Sequence, residues 1–411
     1  MGDTRGLQNF VPVRRADMLE LLCQQEGLSS AEQGSFRQLA QMLEATFHYE
    51  YHARLEALKA DYAPFDPDSD TCALNAPKTG EEEAARLDRL FSDFAGLLER
   101  ANFQRLSHED IEAALGAMSD GGMRLDVDFD VFDRLEVFAR GDAVEKRSLR
   151  RLRNRLRVVE IDIPVYQRLV VIFRLRPHKR LGSEVDAHTV YLKLFKDIPQ
   201  QDLEMLLPGG QVRMSVVDQA KVWFPTISGV GMTLFKIIQG ALSVAAAGVY
   251  GTAAFLGMAG GAVGYGAKSF FGYLRTKEKY RLTLTSSLYY RNLDNNAGVL
   301  FRLLDEAEEQ ECREALLAYY FLWREAGERG WDMATLDRRV ERFLAEKLQV
   351  EVDFEIDDAM EKLRRLGLVR EVAEGCWKAE PIGKSLIALD DAWDDLFDFR
   401  EPGETAGRMA A

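Results

Sequence analysis

Apolar residues return at helical spacing through the first sixty positions. VRRADMLELLCQQ forms one amphipathic run, and Ser29-Ser30-Ala31-Glu32-Gln33 opens a longer one in which Phe36, Leu39, Leu43, Phe47 and Tyr51 share a face. Asp66-Pro67-Asp68-Ser69-Asp70 ends that pattern. Helical periodicity resumes over residues 81–100, and SHEDIEAAL follows with Ser107 and Asp110 spaced as a capping start. The period then changes. RLDVDFDVF, LEVFARG, VVEIDIPVY, RLVVIFRLR and TVYLKLF alternate or are rich in β-branched and aromatic residues, which predicts a strand-rich unit from Arg124 to Phe195.

Residues 227–272 break from both periods. Between Lys236 and Lys268 lie 31 consecutive uncharged residues, IIQGALSVAAAGVYGTAAFLGMAGGAVGYGA. A membrane span needs about 20 residues, so the stretch predicts a helical hairpin turned at Gly248-Val249-Tyr250-Gly251. Gly257 with Gly261, and Gly260 with Gly264, repeat the small-xxx-small spacing that lets helices in lipid approach closely. Lys221 and Lys236 precede the hairpin while Lys268, Arg275, Lys277, Lys279 and Arg281 follow it, which puts both ends on the cytoplasmic side. The alternative is a buried or interfacial hairpin in a soluble protein.

KYRLTLTSSLYYRNL fits either a helix or a strand, and we read it as helix. VLFRLLDEAEEQECREALLAYYFLW, LDRRVERFLAEKL and IDDAMEKLRRLGL are helical, and VREVAEGCWKAEPIG turns at Glu374-Gly375 as a two-stranded wing. The fold class expected is therefore an α+β membrane protein: N-terminal helices over 1–120, a strand-rich domain over 121–225, a transmembrane hairpin over 226–275 and an acidic winged-helix-like domain over 276–400, with a disordered tail over 401–411.

Charge narrows the partners. The 411-residue chain carries a net charge of −14, and from Asp305 to Arg400 there are 26 acidic against 14 basic residues. The wing's third helix opens on Glu355, Asp357, Asp358 and Glu361, which would repel phosphate. Nucleic acid is thus excluded in favour of a protein contact or a homo-oligomer. Residues 146–157 hold seven Lys or Arg, a patch that suits anionic lipid or, as a solvated face, the acidic C-terminal part. Cys23, Cys72, Cys312 and Cys376 form no CxxC pair, which fits reduced thiols. The opening MGDTRGLQNF has no apolar signal core.

Candidate chemistry is sparse, and no cofactor is expected. Glu44, His48, His52 and Glu56 recur every four residues, so a helix aligns them within reach of a metal, but His48 is followed by Tyr49 and no HExxH motif exists. A solvated stripe accounts for the same spacing. Asp66, Asp68 and Asp70 open like a calcium loop, yet Thr71 stands at the glycine position and Pro77 at the bidentate-carboxylate position. GMAGGAVGYG lies in the apolar stretch without a phosphate-binding lysine.

FVPVRRADMLELL, HARLEALKADYAPFDPDSDT, LKLFKDIPQQDLEMLLPGGQVRM at 192–214, the glycine-rich segment and LYYRNLDNNAGVLFRLLDEAEEQECREALLAYYFL follow in that order. Together they resemble a family known only as a domain of unknown function, whose animal representative is the mitochondrial transmembrane protein 143. The resemblance implies two spans and brings no activity; lacking a transit peptide, this chain would sit in a bacterial inner membrane. Within 192–214, Lys193, Lys196, Asp197, Pro199, Asp202 and Glu204 fall where a strand gives way to a short helix. They form either a capped junction packed by Leu203, Leu206 and Leu207 or a polar contact site. The function expected is a scaffold or sensor that binds a protein at the membrane, with a lipid bilayer as its second partner. The alternatives are an oligomeric channel or membrane-disrupting effector, and a metal-dependent enzyme using His48 and His52.

Overall fold

The computed structural model describes residues 8–70, 79–111, 123–150, 158–179, 181, 186–209, 211–214 and 289–396. Helix α1 (Arg15–Cys23) leads into α2 (Ser30–Tyr62), whose start is fixed by a reciprocal box: Ser29 Oγ accepts from the Glu32 amide, and the Glu32 carboxylate accepts from the Ser29 amide. Phe36, Leu39, Leu43, Phe47 and Tyr51 all lie buried along its inner face. Each such side chain contributes roughly 1.5–3 kcal/mol by leaving water. Helix α3 (Gly80–Arg100) opens on Thr79, whose hydroxyl accepts from the Glu82 amide.

Five antiparallel strands follow in the order β1-β3-β4-β5-β7: β1 (Gln104–Arg105), β3 (Phe132–Arg150), β4 (Val158–Leu175), β5 (Val190–Pro199) and β7 (Asn292–Asn295). VVEIDIPVY and RLVVIFRLR, read as two strands, are one continuous β4. A separate pair joins β2 (Met123–Asp126) to β6 (Gln211–Met214). One face of the main sheet, with Phe138, Val170, Ile172, Val190, Leu192 and Leu194, packs into the helical core. The other face, with Val137, Leu169, Val171 and Phe173, closes against Leu203, Leu206 and Leu207 of the turn that follows β5.

Beyond β7, α4 (Ala297–Arg324) runs through the centre and packs against α2, so that the two ends of the chain share one core. Helices α5 (Met333–Leu348) and α6 (Ile356–Arg365), the hairpin of β8 (Val369–Ala373) and β9 (Cys376–Ala379), and α7 (Ile382–Asp395) complete it. Gly375, at positive φ, sits in the hairpin's turn.

The expected membrane-protein class is corrected. Among the described residues no helix is long and apolar enough to cross a membrane, and the architecture is mixed α/β around an antiparallel sheet. The long helices fail as spans because they carry charges throughout, including Arg302, Glu306, Glu308, Glu311, Arg313 and Glu314 in α4. The expected transmembrane helix falls with that class among the described residues. The expected hairpin at 226–275, with Gly257, Gly260, Gly261 and Gly264, lies outside the described residues. Most of KYRLTLTSSLYYRNL lies outside them too; of its described residues, 289–291 form a helical turn and Asn292 and Leu293 already belong to β7, which corrects the helical reading at that end.

Candidate functional site

Three segments far apart in sequence meet where β5, β7 and the start of α4 come together. The first is the turn after α2, tightened by the Asp66 carboxylate, which accepts from the Asp68 amide at 3.1 Å. The second is β5, where Lys193 pairs in register with Asn295 and donates to its side-chain oxygen at 2.9 Å. The third is Asn296, which extends the β5–β7 pairing by one residue. Its amide donates to the Leu192 carbonyl at 2.8 Å, its side-chain oxygen accepts from the Leu192 amide at 3.3 Å, and its side-chain nitrogen donates to Asp68.

Backbone conformation marks the same place. Asn296 is buried at φ 49° and ψ −129°, a region nearly reserved for glycine, and its three hydrogen bonds hold it there. Asp294 accepts from the Asn295 amide at 2.9 Å and leaves no room at Gly298, where an added Cβ would lie 2.0 Å from its carboxylate oxygen. Burial pushes the Lys193 ammonium down, against the opposing pull of Asp68. Tyr62 closes the cluster by donating to the Val190 carbonyl at 3.0 Å. The result is a lysine, two amides and a carboxylate converging between strand and helix.

Of the sequence-read polar site, only Lys193 belongs to this cluster. Lys196 faces Arg168 across the β4–β5 register. Asp197 adopts φ 51° and its carbonyl accepts from Arg291. Pro199 is buried opposite Val165 at the end of β5, and Asp202 sits half-buried in the 3-10 turn Gln200–Leu206. Glu204 belongs to the same turn, with its side chain outside the described residues.

The histidine stripe does not converge. Glu44 pairs with Arg15, His48 Nδ1 lies 3.0 Å from Glu308, and Glu56 accepts from Lys59 at 2.8 Å, each on a different neighbour. No group of three or more His, Cys, Asp or Glu among the described residues is placed to hold a metal ion.

A second polar constellation lies inside the core along α4, and sequence reasoning missed it. Glu311, 3% exposed, takes Arg100 of α3 and Lys362 of α6, each at 3.0 Å. Three residues on, Glu314 accepts from Gln310 at 2.7 Å and Asn102 at 3.1 Å, and burial pushes its carboxyl up to about 8. Gln310 in turn accepts from the Val11 amide at 3.3 Å, and Arg313 donates to the Val13 carbonyl. The irregular segment before α1 is thus tied to α4 by polar bonds. The spacing of Glu308, Glu311 and Glu314 was the available signal, since i, i+3 residues share a face. Which face turns inward is set by the elements on both sides of α4.

A domain described as Protein of unknown function, DUF3754, is found at residues 166–298. That range supplies most of β4, all of β5, β6 and β7, and the first residues of α4, so it contributes Lys193, Asn295 and Asn296 to the cluster while Asp68 comes from outside it. No solved structure matches the chain.

Proposed function

We propose that this protein is a scaffold that binds a protein partner along the ribbon formed by β3 and β4. The observation that carries this reading is the length mismatch in the sheet. β5 pairs with β4 only from Val165 to Arg174, and β1 meets β3 only at Phe138 and Ala139, whereas β3 and β4 remain paired out to Arg150 and Val158. Among the described residues, 144–150 and 158–164 therefore pair only with each other, over roughly 20–25 Å of strand. A two-stranded ribbon is marginally stable alone, and its open edges are a template for an added strand.

By register, Ala143, Glu145, Arg147 and Leu149 lie opposite Val165, Ile163, Ile161 and Val159, and Val144, Lys146, Ser148 and Arg150 lie opposite Pro164, Asp162, Glu160 and Val158. The first row is β-branched along β4 and mixed along β3. An extended partner segment gains main-chain hydrogen bonds at the edge and specificity from the β-branched positions of β4. The buried ion pairs along α4 suit a rigid support for such an arm. The test is capture of partners by the full-length chain and by its L149K/I161K variant, after both are shown to melt at the same temperature. Binding retained by the variant would remove the ribbon as the docking element, and self-association lost in the variant would make a second copy the partner.

The order of the shared segments, from FVPVRRADMLELL to the residues of α4, supports a finer placement as a bacterial member of the family of transmembrane protein 143. Genomic survey of sequences carrying all of those segments in that order tests it. Clustering of this chain with eukaryotic members would reject the bacterial part.

A further inference from the structure

Beyond Ala139, where its pairing with β1 ends, the outer edge of β3 meets no other strand among the described residues. The parity of that edge is fixed by two observations. Val137 offers its carbonyl to the Leu106 amide at 2.8 Å, so odd-numbered residues turn their backbone groups towards the β1 side. The pairing of β3 with β4 then holds a single register from Arg134 to Arg150, which carries the same parity to the end of the strand. Ala143, Glu145, Arg147 and Leu149 therefore present N–H and C=O groups to whatever lies alongside.

The order of charges along this edge matches a second copy of the same edge. About a two-fold axis normal to the sheet, two β3 strands run antiparallel and one residue must face itself. With Lys146 at the axis, Glu145 falls opposite Arg147 of the second copy, Asp142 opposite its Arg150 and Ala143 opposite its Leu149, each relation occurring twice. Lys146 against itself is then the one like-charge position, and the opposite-charge pairs on both sides offset it. The other centres fare worse. Glu145 or Arg147 at the axis faces its own charge with no opposite-charge pair in return, and Ser148 there sets Lys146 against Arg150. Val144 at the axis runs Leu149 of the second copy into Ala139, which β1 already holds.

We infer that β3 pairs with β3 of a second copy about a two-fold axis at Lys146, so that the sheet runs on across a homodimer. The inference rests on the reading of the β3–β4 ribbon as a protein-docking element and names its partner. The outward-facing odd residues fall opposite one another in this register, where each pair exchanges two main-chain hydrogen bonds. The pairing ends at Asp142, short of the positions that β1 covers.

The axis residue gives a direct test in the full-length chain. Lys146 faces itself in a non-hydrogen-bonded pair, where Cα atoms lie about 4.5 Å apart, within disulfide reach. K146C is expected to form an interchain disulfide under mild oxidation. S148C, set about 13 Å from its own copy, is expected not to; wild type on the same non-reducing gel accounts for the native cysteines. Sedimentation reads the charges: E145R is expected to weaken self-association about tenfold, and E145R/R147E to restore it, a recovery that misfolding would not produce. Crosslinking of S148C as readily as K146C, or no recovery in the charge-swapped double variant, would overturn the register. A monomeric wild type that still captures another protein, with capture lost in L149K/I161K, would overturn the second copy and leave the docking reading standing. Self-association that neither K146C crosslinks nor L149K/I161K weakens would overturn both.

Discussion

Asn296 donates its side-chain amide to Asp68, a residue 228 positions earlier in the chain, while its own backbone is held at φ 49°. One residue thus joins the turn after α2, the β5 edge and the start of α4. Two substitutions separate its roles. N296A loses both side-chain partners and keeps the unfavourable backbone, so it is expected to cost about 3 kcal/mol. N296G loses the same bonds but relieves the backbone, and is expected to be less damaging by about 1 kcal/mol. Urea denaturation reads the order, and a glycine variant no more stable than the alanine one would show that the backbone is not strained.

Arg140 is a buried cation towards the opposite edge of the sheet, on the same helical-core face. It donates to the Ala101 carbonyl at 3.0 Å, pairs with Glu306, and lies between Phe10 and Phe103 at 4.8 and 4.6 Å from their ring centres. R140M keeps most of the volume and removes the charge, leaving the partly buried Glu306 with only the 3.5 Å contact from Arg302 on its own helix. The expected loss is about 3–5 kcal/mol. E306Q in the same background is expected to recover part of it, because the pair is coupled. Purely additive losses in a double-mutant cycle would contradict that coupling.

Lys362 ties α6 to the core by pairing with Glu311 and, one turn back on its own helix, with Asp358. K362M is expected to destabilise by about 2 kcal/mol, since Arg100 still accompanies Glu311, whereas K362M combined with R100M strands the carboxylate and is expected to cost more than the sum of the two. Thermal melts of the three variants measure the difference.

The sequence made the local elements legible where one physical signal ruled. The capping boxes at Ser29–Glu32 and Ser107–Asp110 are formed, and the apolar stripe of α2 is the buried one. The glycine turn between β8 and β9 falls at Glu374-Gly375 as read. What composition and spacing did not carry was pairing over distance. Nothing local tells that Asp68 meets Asn296, or that Glu308, Glu311 and Glu314 of α4 face inward and are matched by His48, Arg100, Lys362 and Asn102 from other elements. The apolar stretch at 227–272 prompted a membrane class from its hydropathy, glycine spacing and flanking cations; it lies outside the described residues, among which no helix is long and apolar enough to cross a membrane. The ribbon was likewise hidden, because β3 continues to Arg150 through a basic run that carries no strand pattern, and the length of a strand's neighbours is not local information.

Glu314 gives the core a dependence on pH whose sign follows from its surroundings. Burial raises its carboxyl to about 8, against the opposing charge of Lys362 and the hydrogen bonds from Gln310 and Asn102, whereas in the unfolded chain it titrates near 4.5. Between those values the native state holds a proton that the unfolded state has lost, so this residue's contribution to stability is fully present below about pH 4.5 and is lost as pH rises towards 8. E314Q copies the neutral acid, keeps an acceptor oxygen for Gln310 and Asn102, and carries no proton to lose. The stability of E314Q relative to wild type is therefore expected to grow between pH 5 and pH 8, with a slope of up to about 1.4 kcal/mol per pH unit. Other buried acids with raised values, such as Asp337 and Glu308, titrate in both proteins and cancel in the difference. Urea denaturation at the two pH values is the measurement, and parallel curves for the two proteins would mean that Glu314 is already ionised in the native core.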